Sequence, residues 1–145
     1  MKGKHVRPQT GDVFAIPLGD GRYCFGRLLH DCGIAIYDYR SKNFPDMATL
    51  ATKPIRFHAS IFDKAIRSGL WPRIGMLPAD DESDNWSPPC FIRDELLEES
   101  FEIYERGRIR RATKEEIQGL EEQHMWFPDS FVEELRRRFR RCRVD

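Results

Sequence analysis

The chain reads as an α+β fold. Its β part is mainly antiparallel, a curled sheet of the SH3-like or partly open barrel kind, with a short mid-chain helix and helices at the C-terminal end. Three observations predict this. Apolar residues alternate with period two from Asp12 to Leu18, the signature of a strand. Glycine-bearing turns then follow at short intervals, Gly19-Asp20-Gly21 and Asp31-Cys32-Gly33, as a meander requires. In the last third the pattern changes to helix signals, Thr113-x-x-Glu116 and Ser130-x-x-Glu133, both capping boxes.

The elements follow in order. Residues 1–10 form a loose arm. Asp12–Leu18 places Phe14, Ile16 and Leu18 on one face and Val13, Ala15 and Pro17 on the other. Arg22–His30 is the return strand, and Gly26 inside it marks a bulge or a close backbone approach. Ile34–Arg40 is a third strand. Residues 41–53 read as loop, and Ile55–His58 as a short strand. Ser60 and Asp63 resemble a capping box before Ile61, Phe62, Ala65 and Ile66, giving a helix of about two turns that ends at Gly69. Leu70–Pro78 is a short strand or irregular core segment, and Ala79–Pro89 an exposed loop. Cys90-Phe91-Ile92, Phe101–Tyr104 and Ile109–Ala112 read as strands, with Gly107 between the last two. In the final helix Phe131, Leu135, Phe139 and Cys142 share one face. Its arginines, Arg136, Arg137, Arg138, Arg140, Arg141 and Arg143, crowd the end that favours positive charge. At 145 residues the chain has the size of one domain: 1–10 arm, 11–112 mainly β, 113–145 mainly helical.

Composition narrows the function. Lys+Arg and Asp+Glu are both 24, which argues against general binding to nucleic acid or anionic membrane. The start is polar and basic with no apolar run behind it, so no secretory signal is expected, and no run approaches a membrane helix. The four cysteines are scattered and read as reduced thiols of a cytoplasmic protein.

A search for chemistry finds no catalytic signature. Cys24, His30 and Cys32 are spaced C-x5-H-x-C, without the short cysteine pair or the fourth ligand of a structural zinc site. No nucleophile elbow or phosphate loop is present. No catalytic residue, metal or other cofactor is therefore expected. The notable feature is charge: ten acids against the single base Arg93 between Asp80 and Glu105. Such a run is either a solvated loop and face or an acidic surface that steers a basic partner. The candidate partner-binding residues are Asp80, Asp81, Glu82, Asp84, Asp94, Glu95, Glu98, Glu99 and Glu102, with Trp86 as an aromatic anchor. Trp86 folded back onto the core is the competing reading.

Two stretches carry a family resemblance. Gly11-Asp12-Val13-Phe14-Ala15-Ile16-Pro17-Leu18 with Gly21–Leu28, and Gly69-Leu70-Trp71-Pro72-x-Ile74-Gly75 with Pro78 and Pro89, resemble the bacterial immunity protein 26 family across about Gly11 to Ala112. The resemblance implies an antidote in a polymorphic toxin system: a non-catalytic protein whose partner is the C-terminal domain of a cognate toxin, with no small-molecule substrate. Occlusion of a basic nuclease toxin by the acidic segment is the expectation. The alternative is an RNA-binding or RNA-cutting small-barrel protein, since the opening also resembles ribosome-independent RNA-cutting toxins of that shape; its arginines would then hold phosphate.

Overall fold

A computed structural model describes residues 7–141, with side chains through Arg140. Most of the expected arm, Cys142 and Arg143 lie outside the described residues. Among the described residues ten strands and three α-helices follow one another. The first three strands are β1 (Asp12–Pro17), β2 (Tyr23–Leu28) and β3 (Gly33–Ser41). Then come α1 (Met47–Leu50), β4 (Ile55–Ile61), α2 (Lys64–Arg67) and β5 (Arg73–Met76). The second half holds β6 (Cys90–Arg93), β7 (Phe101–Glu105), β8 (Arg108–Ala112), β9 (Glu121–Glu122), β10 (Met125–Trp126) and α3 (Pro128–Arg141).

The strands form two open sheets, one six-stranded in the order β10-β4-β3-β2-β1-β5 and one four-stranded in the order β8-β7-β6-β9. Neither closes into a barrel. Pairing is antiparallel except β10 with β4 and β6 with β9.

The period-two pattern divides the core. Phe14, Ile16, Cys24, Leu28, Ile34 and Ile36 face α3, where Phe131, Leu135 and Phe139 complete the cluster with Phe57 and Trp71. Val13, Ala15, Phe25 and Tyr37 face the other way and are covered by Leu50 and Met47 of α1. At about 1.5–3 kcal/mol for each fully buried large apolar side chain, these two faces hold the six-stranded sheet together. A third cluster, Phe101, Ile103 and Ile117 with Phe91 and Leu120, supports the smaller sheet. Gly26 is the close approach expected of it. A Cβ there would stand 2.5 Å from Ile34 Cδ1, and the β2–β3 register shifts between Cys24 and Gly26.

Several expectations are corrected. Residues 41–53 are not all loop, because Asp46 accepts from Thr49 N at 2.7 Å and caps α1. Ser60 is not a helix cap. It lies in β4 opposite Gly33 and Met125, so the strand consumes Ile61 and leaves α2 a single turn after Asp63. Thr113 and Glu116 do make both capping-box hydrogen bonds, at 2.9 and 3.2 Å, yet only turns follow. Gly119 takes φ +82, and the short stretch before it is too brief to sustain a helix. The chain instead pairs β9 and β10 to the two sheets. Ser130 caps nothing either: Phe131 N donates to Phe127 O at 2.9 Å, and Pro128 takes the first helical position. The C-terminal region thus holds one α-helix among the described residues.

Candidate acidic and interfacial site

The acidic segment begins in the connection between the sheets. Arg27, 7% exposed on β2, holds it in place. Its Nε donates to Leu77 O at 2.7 Å, one terminal nitrogen to Asn85 Oδ1 at 2.6 Å, and the other to Asp84 O at 3.3 Å. Two of these acceptors are backbone carbonyls and one a side-chain amide, so the guanidinium anchors the loop without pairing with its carboxylates. Asp81 accepts from Ser83 N at 3.0 Å and caps a 3-10 turn over Glu82–Asn85. That bond, with Arg106 nearby, holds its carboxyl below the usual range.

His30 bridges two segments. Its Nδ1 lies 2.9 Å from Thr10 Oγ1 and its Nε2 2.8 Å from Glu82 Oε1. The bonds from His30 and Asn85 hold Glu82 below the ordinary carboxylate value. Thr10 is thereby bonded to His30, and Gln9 N donates to Asp12 Oδ2 at 2.8 Å, so these two residues of the expected arm are hydrogen-bonded to the strand region.

Trp86 is half-buried. Its ring meets the His30 ring edge-on at 4.8 Å and reaches toward the β7–β8 turn, with Cη2 3.8 Å from the place of a Cβ on Gly107. It stands between the two sheets, half-exposed, and belongs to none of the three core clusters. Asp80 and Asp84 stay exposed beside it.

The second acidic group lies elsewhere. Asp94, Glu95, Glu98 and Glu99 occupy the β6–β7 connection, and all four are exposed. Cys90 pairs with Tyr104 and Arg93 with Phe101, so this connection stands at the opposite end of the small sheet from the Arg106-Gly107 turn. The separation is about 13 Å along β7. Glu102 lies between the two groups, opposite Arg111 on β8, a favourable cross-strand pairing. One acidic run in the sequence thus becomes two groups in space.

Two clefts flank the Ser87–Pro89 segment between the sheets. One, of about 680 Å³, is lined by His58, Cys90, His124, Trp126 and Arg138 among others. The other, of about 570 Å³, is lined by Arg27, Tyr37, Lys53, Trp86 and Arg106 among others and shares His58. Burial pushes the His58 pKa down, while burial and then Glu121 push the Cys90 thiol up. Both shifts favour neutral forms, the opposite of an activated thiolate–imidazolium pair.

The cysteines of the C-x5-H-x-C spacing lie in different surroundings. Cys24 is fully buried, its thiol pushed up to about 12 by burial. Cys32 is exposed in a left-handed turn with Asp31, at φ 65 and 58. Among the described residues no three His, Cys, Asp or Glu side chains group as metal ligands. No helix among them is long and apolar enough to cross a membrane.

Three arginines of α3 have intramolecular partners. Arg136 donates to Leu18 O. Arg137 and Arg138 both bond Glu134, at 2.6–2.8 Å, and the Arg138 guanidinium lies 4.1 Å from the Phe57 ring centre. Arg136 and Arg138 thereby bind the helix to the sheet, while the Arg137 bond stays within the helix. Arg27 draws no attention in the sequence and His30 draws it only as a metal-ligand candidate; both lie in a strand-turn stretch where nothing local marks a partner fifty residues away.

A family model described as Immunity protein 26 matches residues 9–102. The chain belongs to the immunity protein 26 family. No curated protein and no solved structure matches it. Membership gives immunity proteins as the function class and a toxin as the general kind of partner. The matched residues take in all of the six-stranded sheet except β10, the anchored loop and the β6–β7 connection; α3 falls outside them.

Proposed function

We propose that this immunity protein binds a cognate toxin domain one-to-one and neutralises it by occlusion, without catalysis. The family match carries this reading. The geometry supports it with a framework buried on both faces of its larger sheet and an exposed acidic surface suited to a basic toxin such as a nuclease. Asp80, Asp81, Glu82, Asp84, Trp86, Asp94, Glu95, Glu98, Glu99 and Glu102 are the proposed contact residues. A field of this sign raises association rates and makes them salt-dependent.

The test is co-expression in bacteria with the toxin domain encoded beside the chain. Growth is restored, and the two proteins elute together as a one-to-one complex. Growth arrest with no complex would refute the proposal.

A further inference from the structure

The β6–β7 connection presents an unusual combination. Leu96 is 91% exposed and Leu97 58%, and acids flank them on both sides: Asp94 and Glu95 before, Glu98 and Glu99 after. Two adjacent leucines in water are a cost without a compensating contact inside the chain. Among the described residues none of the four acids takes part in an ion pair.

The backbone of the tip is hydrogen-bonded within the loop. Asp94 Oδ1 accepts from Leu96 N at 2.8 Å and Leu97 N at 3.3 Å, and the loop closes through Asp94 N to Ser100 O at 3.0 Å. Below it the Arg93 guanidinium lies 5.8 and 5.5 Å from the Phe91 and Phe101 ring centres. An apolar pair already ordered before contact loses little entropy on binding.

The charge identifies the occupant. A second copy packed tip to tip would bring four acids against four acids, and an anionic membrane would repel them as well. A basic protein surface with an apolar socket fits: leucines at the dry centre, acids at the rim. We infer that the Leu96-Leu97 tip with its four acids is the central contact for a basic toxin domain, and that the Asp80–Asp84 group is peripheral to it. This rests on the proposed toxin partner and narrows where it binds.

The experiment measures binding kinetics of the full chain to the purified toxin domain encoded beside it. Leu96→Ser with Leu97→Ser weakens affinity about 100-fold, about tenfold for each buried leucine, mainly through faster dissociation. Glu95→Lys with Glu98→Lys slows association about tenfold at low salt, and the difference vanishes near 0.5 M salt. Asp80→Lys with Asp84→Lys leaves dissociation within about twofold of the wild type and slows association less than the tip pair does. All the substituted side chains are exposed, so thermal midpoints stay with the wild type and loss of folding is distinguishable.

Wild-type binding with unchanged tip variants would overturn this inference and leave the proposed function standing. So would a loss confined to the Asp80/Asp84 variant, or self-association of the chain abolished by the leucine substitutions. Failure of the wild type itself to bind would overturn both.

Discussion

Arg27→Met tests whether one buried guanidinium organises the loop between the sheets. Methionine keeps the length and apolar contacts of the arginine stem and removes its donors. Two strong hydrogen bonds disappear, to Leu77 O at 2.7 Å and Asn85 Oδ1 at 2.6 Å, with a weaker one to Asp84 O at 3.3 Å. Hydrogen bonds from a charged donor contribute about 1.5–3 kcal/mol each. Relief of the buried charge and entry of water to the loop acceptors offset part of that. The expected net loss is about 2–3 kcal/mol, measured as a fall in the urea midpoint with an unchanged slope. Hydrogen exchange localises it: His30 N, which donates to Asn85 O at 2.9 Å, and Asp84 N and Trp86 N within the 3-10 turn lose protection before the amides of β2. Arg27→Lys retains part of the stability, since one ammonium cannot span three separated acceptors. A loss below about 0.5 kcal/mol with unchanged exchange at those three amides would refute the reasoning.

Three further outcomes are expected. Phe131→Ala opens a cavity between Phe57, Trp71 and Trp126, whose rings lie 6.0–6.3 Å from it, and costs about 3–5 kcal/mol, read from urea unfolding. Glu134 is held at about 2 by its bonds to Arg137 and Arg138; its folded value lies below its unfolded one, so its stabilisation is complete above about pH 4.5 and is lost as pH falls toward 2. Unfolding across that window shows a shallower acid loss in Glu134→Gln, and identical profiles would contradict the assignment. Cys24, buried with its thiol near 12, resists iodoacetamide in the folded protein while exposed Cys32 is alkylated; equal labelling by mass spectrometry would count against the buried placement.

Local pattern was sufficient where neighbours in sequence are also neighbours in space. Alternation from Asp12 to Pro17 specified both faces of β1, and the glycine turns specified the β1–β2–β3 meander. The stripe Phe131, Leu135, Phe139 specified the buried face of α3. The resemblance at Gly11–Leu28 and Gly69–Gly75 pointed to the family that the match over residues 9–102 establishes. Those signals repeat every two or four residues and need no distant partner to be read.

Tertiary structure decided the rest. The capping boxes at Thr113 and Ser130 read as helix starts, but a cap helps only a segment long enough to propagate. Gly119 ended the first, and Pro128 had already begun the second helix. The short strands Glu121–Glu122 and Met125–Trp126 exist because β6 and β4 offer edges that no local pattern foretells. The acidic segment shows the same division most clearly. Its composition was plain in the sequence, but its geometry was not. Folding back of β7 on β6 carries Asp94–Glu99 to one end of the small sheet, and Arg27 fastens Asp80–Asp84 near the other. Charge is a property of residues, whereas a charged surface is a property of where the chain turns.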